Sequence, residues 1–153
     1  MRKLIRLAEQ DLHRIIKESL DKIMKWFSGS KVVDENGKPI LLYHAYESDG
    51  FGGSYDSGMV FYTDDYDYAC EFGDTIDKGY LKLTNPYIAE DGILRIEDGS
   101  PIIDEDGYEM SVGYLDSISE EDLEYFMDNF DGIISENGFM VVSFIDNNFY
   151  KIS

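Results

Sequence analysis

The chain has 153 residues, the length of one domain, and a domain of this size buries roughly 68 to 70% of the surface its unfolded chain exposes. Its 43% hydrophobic and 14% aromatic content, with twelve tyrosines and nine phenylalanines, excludes a disordered chain and favours a tyrosine-rich fold containing β-structure. The net charge of −19 is unevenly divided: residues 1–28 carry seven basic and four acidic residues, a balance of +3, whereas residues 29–153 carry six basic and 28 acidic, a balance of −22. Such a body repels phosphates and attracts cationic surfaces, so direct nucleic-acid binding is not expected of it.

No run approaches the 18 apolar residues of a membrane span, and Arg2, Lys3 and Arg6 interrupt the N-terminal apolar residues, so a soluble, unsecreted protein without membrane contact is expected. The single cysteine, Cys70, cannot make an internal disulfide, which fits the reducing cytoplasm. It reads as a small buried residue.

In chain order, the first element is a helix over about residues 9–27. Leu12, Ile15, Ile16, Leu20, Ile23, Met24 and Phe27 recur at the spacing of one helical face, and Ser28-Gly29-Ser30 stops the helix. His13 lies on it as a surface residue. Short strands follow. Val32-Val33 and Ile40-Leu41-Leu42-Tyr43 flank an Asn36-Gly37 turn, and further strands are expected at Met59–Thr63, Lys78–Leu83, Ile133–Ser135 and Phe139–Phe144. A helix over about 65–73 and a second that starts at an N-capping Ser119 and buries Leu123, Phe126, Met127 and Phe130 interrupt them. The body therefore reads as α+β with mostly antiparallel pairing. No internal repeat is apparent.

His44 stands where the Leu41-Leu42-Tyr43 strand runs into a loop containing Gly50, Gly52, Gly53 and Gly58, a position suited to holding a ligand. A calcium loop at Asp104-Glu105-Asp106-Gly107 is excluded because Ile102 occupies the place of its first ligand.

Two stretches carry resemblances. Residues 5–24, IRLAEQDLHRIIKESLDKIM, resemble a segment (LTESDLHRIIKES and variants) that recurs at the N-terminus of small tailed-phage proteins. This implies a phage gene acting in a host cell, carriage in the phage particle, and a docking or packaging role for residues 1–28 apart from a domain over 29–153. From residue 30 onward, SKVVDENGKPILLYHAY (30–46), the Gly58–Asp64 strand, the helix with Ala69 and Phe72, YLKLTNPYIAED (80–91), Asp131-Gly132-Ile133-Ile134 and MVVSFIDNNFYK (140–151) follow one another in the order found in the ADP-ribosyltransferase superfamily. The version they resemble is the one embedded in phage polyvalent proteins.

The resemblance implies split antiparallel β-sheets with a cleft between them, peripheral helices, and NAD as substrate. It implies that His44 holds a ribose of NAD, that backbone at Ala45 contacts the nicotinamide amide, that Phe61, Tyr62 and Thr63 form the next wall, and that Phe61 and Phe72 sandwich the nicotinamide ring. The family's closing glutamine falls on Asn148. Its catalytic glutamate falls on Met140, which leaves Glu136 and Asp131 as carboxylates that could reach the site. The activity implied is mono-ADP-ribosylation of a host protein with a basic surface. The alternatives are a catalytically inactive NAD-binding or protein-binding module, and an acidic nucleic-acid mimic that inhibits a host protein.

Overall fold

The computed structural model describes residues 2–46, 59–145 and 148–152. The chain divides into two compact units, Met1–Ser30 and Lys31–Ser153. The first is one helix, α1 (Arg2–Trp26). It starts seven residues earlier than its clearest apolar periodicity, because no glycine or proline breaks the segment before it. Gly29, at φ 86°, takes the left-handed conformation that ends it. Leu12, Ile15, Ile16 and Met24 of the apolar stripe are exposed, as is His13.

The second unit is mixed α and β. Its strands are β1 (Leu42–Tyr46), β2 (Val60–Thr63), β3 (Thr75–Leu81), β4 (Tyr87–Ala89), β5 (Gly132–Ser135), β6 (Met140–Ser143) and β7 (Phe149–Lys151), with helices α2 (Tyr66–Ala69) and α3 (Glu120–Asn129) and a 3-10 turn over Val112–Ser117. Ser119 caps α3, its side chain accepting from the Asp122 amide at 3.2 Å. α2 is a single turn, capped by Asp65 and shorter than the sequence suggests.

All seven strands belong to one open sheet in the order β4-β5-β6-β2-β1-β3-β7, antiparallel except for the parallel β4-β5 pair. The expectation of two separate sheets with a cleft between them is thereby corrected. The joint between β1 and β2 nevertheless consists of one register pair, Tyr43 with Thr63, against five pairs between β1 and β3 and four between β2 and β6. Asn148, just before β7, hydrogen-bonds Ser143 at the end of β6 across the short connection between them. The carboxylate of Asp131, just before β5, takes the amides of Thr84 and Asn85, just before the neighbouring strand β4.

Val32, Leu42, Tyr62, Leu81, Leu83, Ile134 and Val141 form one buried cluster. On the opposite face Met59, Ala89, Leu94, Ile102, Met110, Val112, Leu115, Phe126, Ile133 and Val142 form a second. β5 and β6 therefore contribute alternate residues to different cores, which explains their continuous apolar sequence. Phe126 fixes α3 to the sheet through an edge-on contact with Tyr87, ring centroids 5.2 Å apart.

A repeated turn, not apparent in the sequence reading, decorates the unit. Asp34 Oδ1 accepts from the amides of Asn36 and Lys38, and Asp104 Oδ1 accepts from those of Asp106 and Tyr108. Gly37 (φ 78°) and Gly107 (φ 85°) occupy the same place in the two turns. A non-glycine residue is disfavoured at both positions.

Candidate functional site

Strand alternation turns Leu42, His44 and Tyr46 of β1 to one face, that of the cluster containing Leu42 and Tyr62. His44 is only 5% exposed. Its Nδ1 lies 2.9 Å from the carbonyl oxygen of Phe61. A carbonyl only accepts, so Nδ1 carries a proton, which in the neutral ring leaves Nε2 as the acceptor nitrogen. This bond spans β1 and β2 where their ladder has only one register pair.

Aromatic rings and an ion pair surround it. The imidazole stacks on Tyr46 (centroids 5.9 Å apart, planes 25° apart) and meets Tyr62 at 5.6 Å, with Phe149 of β7 4.8 Å beyond Tyr62. Asp77 of β3 stands directly opposite His44 in the β1-β3 register. Its Oδ1 accepts from the Tyr46 hydroxyl at 3.4 Å and pairs with Lys151 Nζ at 3.0 Å. The Asp77 side chain is 20% exposed and that of Lys151 54%. Sequence reading passed over Tyr46, Asp77 and Lys151. The alternation of residues 75–81 was the available signal for Asp77, since it sends Thr75, Asp77 and Gly79 to one face.

The other expected site residues are distributed as follows. Tyr62 joins His44, whereas Phe61 points to the opposite face, packs against the second core and offers His44 only its carbonyl. Ala45 pairs with Ile76 in the ladder and also turns away from His44. Phe72 is exposed, with its ring edge-on to Tyr68 at 5.0 Å rather than against Phe61. Its neighbour Gly73 packs so closely that a Cβ there would fall on the Tyr46 carbonyl, which brings this segment against the end of β1. Residues 47–58, with Gly50, Gly52, Gly53 and Gly58, lie outside the described residues.

Asp131 and Glu136 flank β5 at opposite ends, so they do not converge on one site. The Asp131 carboxylate is taken by the Thr84 amide (2.8 Å), the Asn85 amide (3.1 Å) and the Thr84 hydroxyl (3.4 Å). Glu136 is exposed in the turn before β6. The Asn148 side chain donates to the Lys82 carbonyl and to Ser143 Oγ, which ties the segment before β7 to the ends of β3 and β6. Cys70, expected to be buried, is exposed, because it caps the end of a one-turn helix on the surface. Its proximity to Tyr66 is the main reason that phenol is held above its ordinary range.

Thr63 lies elsewhere. It lines a cavity of about 500 Å³ together with Asp64, Asp65, Tyr68, Asp91, Asn137 and Met140, at the end of β2 and the start of β6. Met140 pairs with Thr63 across β2 and β6. Arg95 bonds Asp91 at 2.9 Å and holds that carboxyl below its ordinary range, but the charged side chains of the lining, Asp64, Asp65 and Asp91, are all carboxylates, which suits an anionic diphosphate poorly. His44 and Tyr62 do not line it.

Among the described residues, no group of three His, Cys, Asp or Glu side chains is placed to hold a metal ion, and no helix is long and apolar enough to cross a membrane. Comparison of the chain with protein-family models, with curated proteins and with solved structures returns no significant match.

Proposed function

We propose that residues 31–153 form an ADP-ribosyltransferase-type domain that binds NAD at the His44 cluster and passes single ADP-ribose units to a host protein with a basic surface. The observation that carries this reading is His44 itself. It is held in one tautomer by the Phe61 carbonyl, its acceptor nitrogen is Nε2, and aromatic rings lie on either side. A neutral imidazole in that state accepts a ribose hydroxyl, and a tyrosine face suits a nicotinamide ring. In the transfer, a nucleophilic atom of the acceptor protein bonds to the ribose carbon as the bond to nicotinamide breaks, and nicotinamide leaves with the bonding electrons. The −22 balance of residues 29–153 favours a cationic partner surface. The phage setting implied by residues 5–24 makes the acceptor a host protein.

A second reading keeps NAD binding without transfer. Met140 favours it, because the position aligned with the family's glutamate holds a thioether beside Thr63 and cannot stabilise developing positive charge. Calorimetric titration of NAD and incubation of the protein with labelled NAD and host lysate test both. Heat with a labelled band supports transfer, and heat without a band supports the second reading. His44→Ala should abolish both signals, while His44→Asn, which keeps a donor toward the Phe61 carbonyl, should retain the fold. Absence of heat and of label from the wild-type protein would overturn both readings and favour the acidic mimic.

A further inference from the structure

We infer that the Asp77–Lys151 ion pair beside His44 is a ligand-exchange pair that confines this site to ribose ligands carrying an anionic group. Lys151 turns from Asp77 to the diphosphate, and the released Asp77 carboxylate accepts ribose hydroxyls next to His44. The inference rests on the NAD-binding reading above and deepens it.

The charge distribution makes a local cation necessary. Residues 29–153 contain six basic side chains against 28 acidic ones, so an anionic ligand approaching the body meets net repulsion unless a cation stands at its binding point. Lys151 is the cation placed beside the His44 cluster, with Nζ 3.0 Å from the carboxylate that faces His44. Arg95 is bonded to Asp91 on the acidic cavity. Lys78 neighbours Asp77 in β3 and therefore points to the other face.

The carboxylates of this fold also differ in what holds them. Asp34, Asp104 and Asp131 accept from backbone amides, which are fixed by the fold. Asp77 accepts from the ends of two side chains, the Tyr46 hydroxyl and the Lys151 ammonium, and such contacts exchange without moving backbone. Lys151 is half exposed and sits on the three-residue edge strand β7, so its ammonium can swing outward. An ion pair with one partner half exposed adds little to stability, so Lys151 can leave Asp77 at little cost to the fold.

The test is calorimetric titration of the full chain with NAD and with nicotinamide riboside, which lacks the diphosphate, at low and high salt. Lys151→Gln should weaken NAD about tenfold and flatten its salt dependence, while strengthening the riboside, because Asp77 is then released without a diphosphate. Asp77→Asn should weaken NAD about tenfold while changing riboside affinity less than about twofold, because the riboside leaves Lys151 on Asp77, and Lys151→Arg should keep NAD binding near the wild-type level. Thermal midpoints of the variants should match that of the wild type, so a loss of binding is separable from a loss of fold. If Lys151→Gln binds NAD as the wild type does, or weakens both ligands equally, the inference is wrong and the His44 reading stands. A wild-type protein that binds neither ligand overturns both.

Discussion

Replacing Asp131 with alanine should lower stability without changing the chemistry, and the structure supplies the magnitude. The carboxylate accepts from two backbone amides and one hydroxyl of Thr84 and Asn85, which ties the exit of β3 to the entry of β5. Hydrogen bonds to a charged acceptor contribute about 1.5 to 3 kcal/mol each when water cannot replace them. Thr84 and Asn85 are exposed, so water takes over part of that contribution in the variant, and the net loss should be about 1 to 2 kcal/mol. For a chain of this size that loss lowers the melting temperature by about 3 to 8 °C. Asp131→Asn keeps one neutral acceptor and should lose about half as much. Circular dichroism melts of the full chain measure the shift, with NAD titration and lysate labelling run in parallel below the transition. The reasoning fails if Asp131→Ala melts at the wild-type temperature yet loses labelling, because the carboxylate would then be acting on substrate rather than on the Thr84-Asn85 turn.

Phe126→Ala removes a fully buried ring that touches Tyr87, Tyr125 and Phe130, and urea unfolding should show a loss of about 3 to 5 kcal/mol. Cys70, being exposed, should react with a maleimide in the native protein as completely as in urea, and Cys70→Ser should leave NAD titration unchanged. Gly73→Ala should destabilise the fold, because the new methyl group falls on the Tyr46 carbonyl; a melt equal to wild type would show that the segment can move away from β1. On acidification, Asp91, held low first by the Arg95 guanidinium, and Asp98, held low first by the Ser100 amide, lose their favourable bonds. Their folded-state pKa values lie below the unfolded ones. Their contribution is therefore complete above the ordinary carboxylate range, near pH 4, and disappears as the pH falls through the lowered values. Comparing the acid limb of wild type with that of Arg95→Gln isolates the Asp91 share.

Local order was legible in the sequence. The apolar spacing of Leu12, Ile15, Ile16 and Met24 is satisfied by one helix whatever surrounds it, and Ser119 caps α3 through an amide three residues away. Of the glycines that follow Asn or Asp, those at 37, 92, 99, 107 and 138 take positive φ in turns, whereas Gly132 after Asp131 is extended in β5, where strand pairing overrides the turn signal. The strands near 60–63, 133–135 and 140–143 were legible in the sequence, whereas β4 and β7 were not expected, Val32-Val33 forms only an isolated bridge, and His44, expected at a strand end, lies in the middle of β1.

Pairing between strands was not legible, because a period of two says which way a side chain points but not what lies across from it. Asp77 becomes a neighbour of His44 only when β3 pairs with β1, and Lys151 only when β7 adds to β3. The same pairing turned Phe61 away from the imidazole and left its carbonyl as the partner. Pairing of β4 with β5 brought Asp131 to Thr84, 47 residues away, and addition of β7 to β3 brought Asn148 to the Lys82 carbonyl, 66 residues away, and so committed two expected site residues to holding the fold together. Sequence by itself determined which segments are helix, strand or turn, since those preferences act within a few residues. Which polar groups share a site was decided by the tertiary structure alone, because contacts across strands depend on register and curvature that the packing of the whole chain sets.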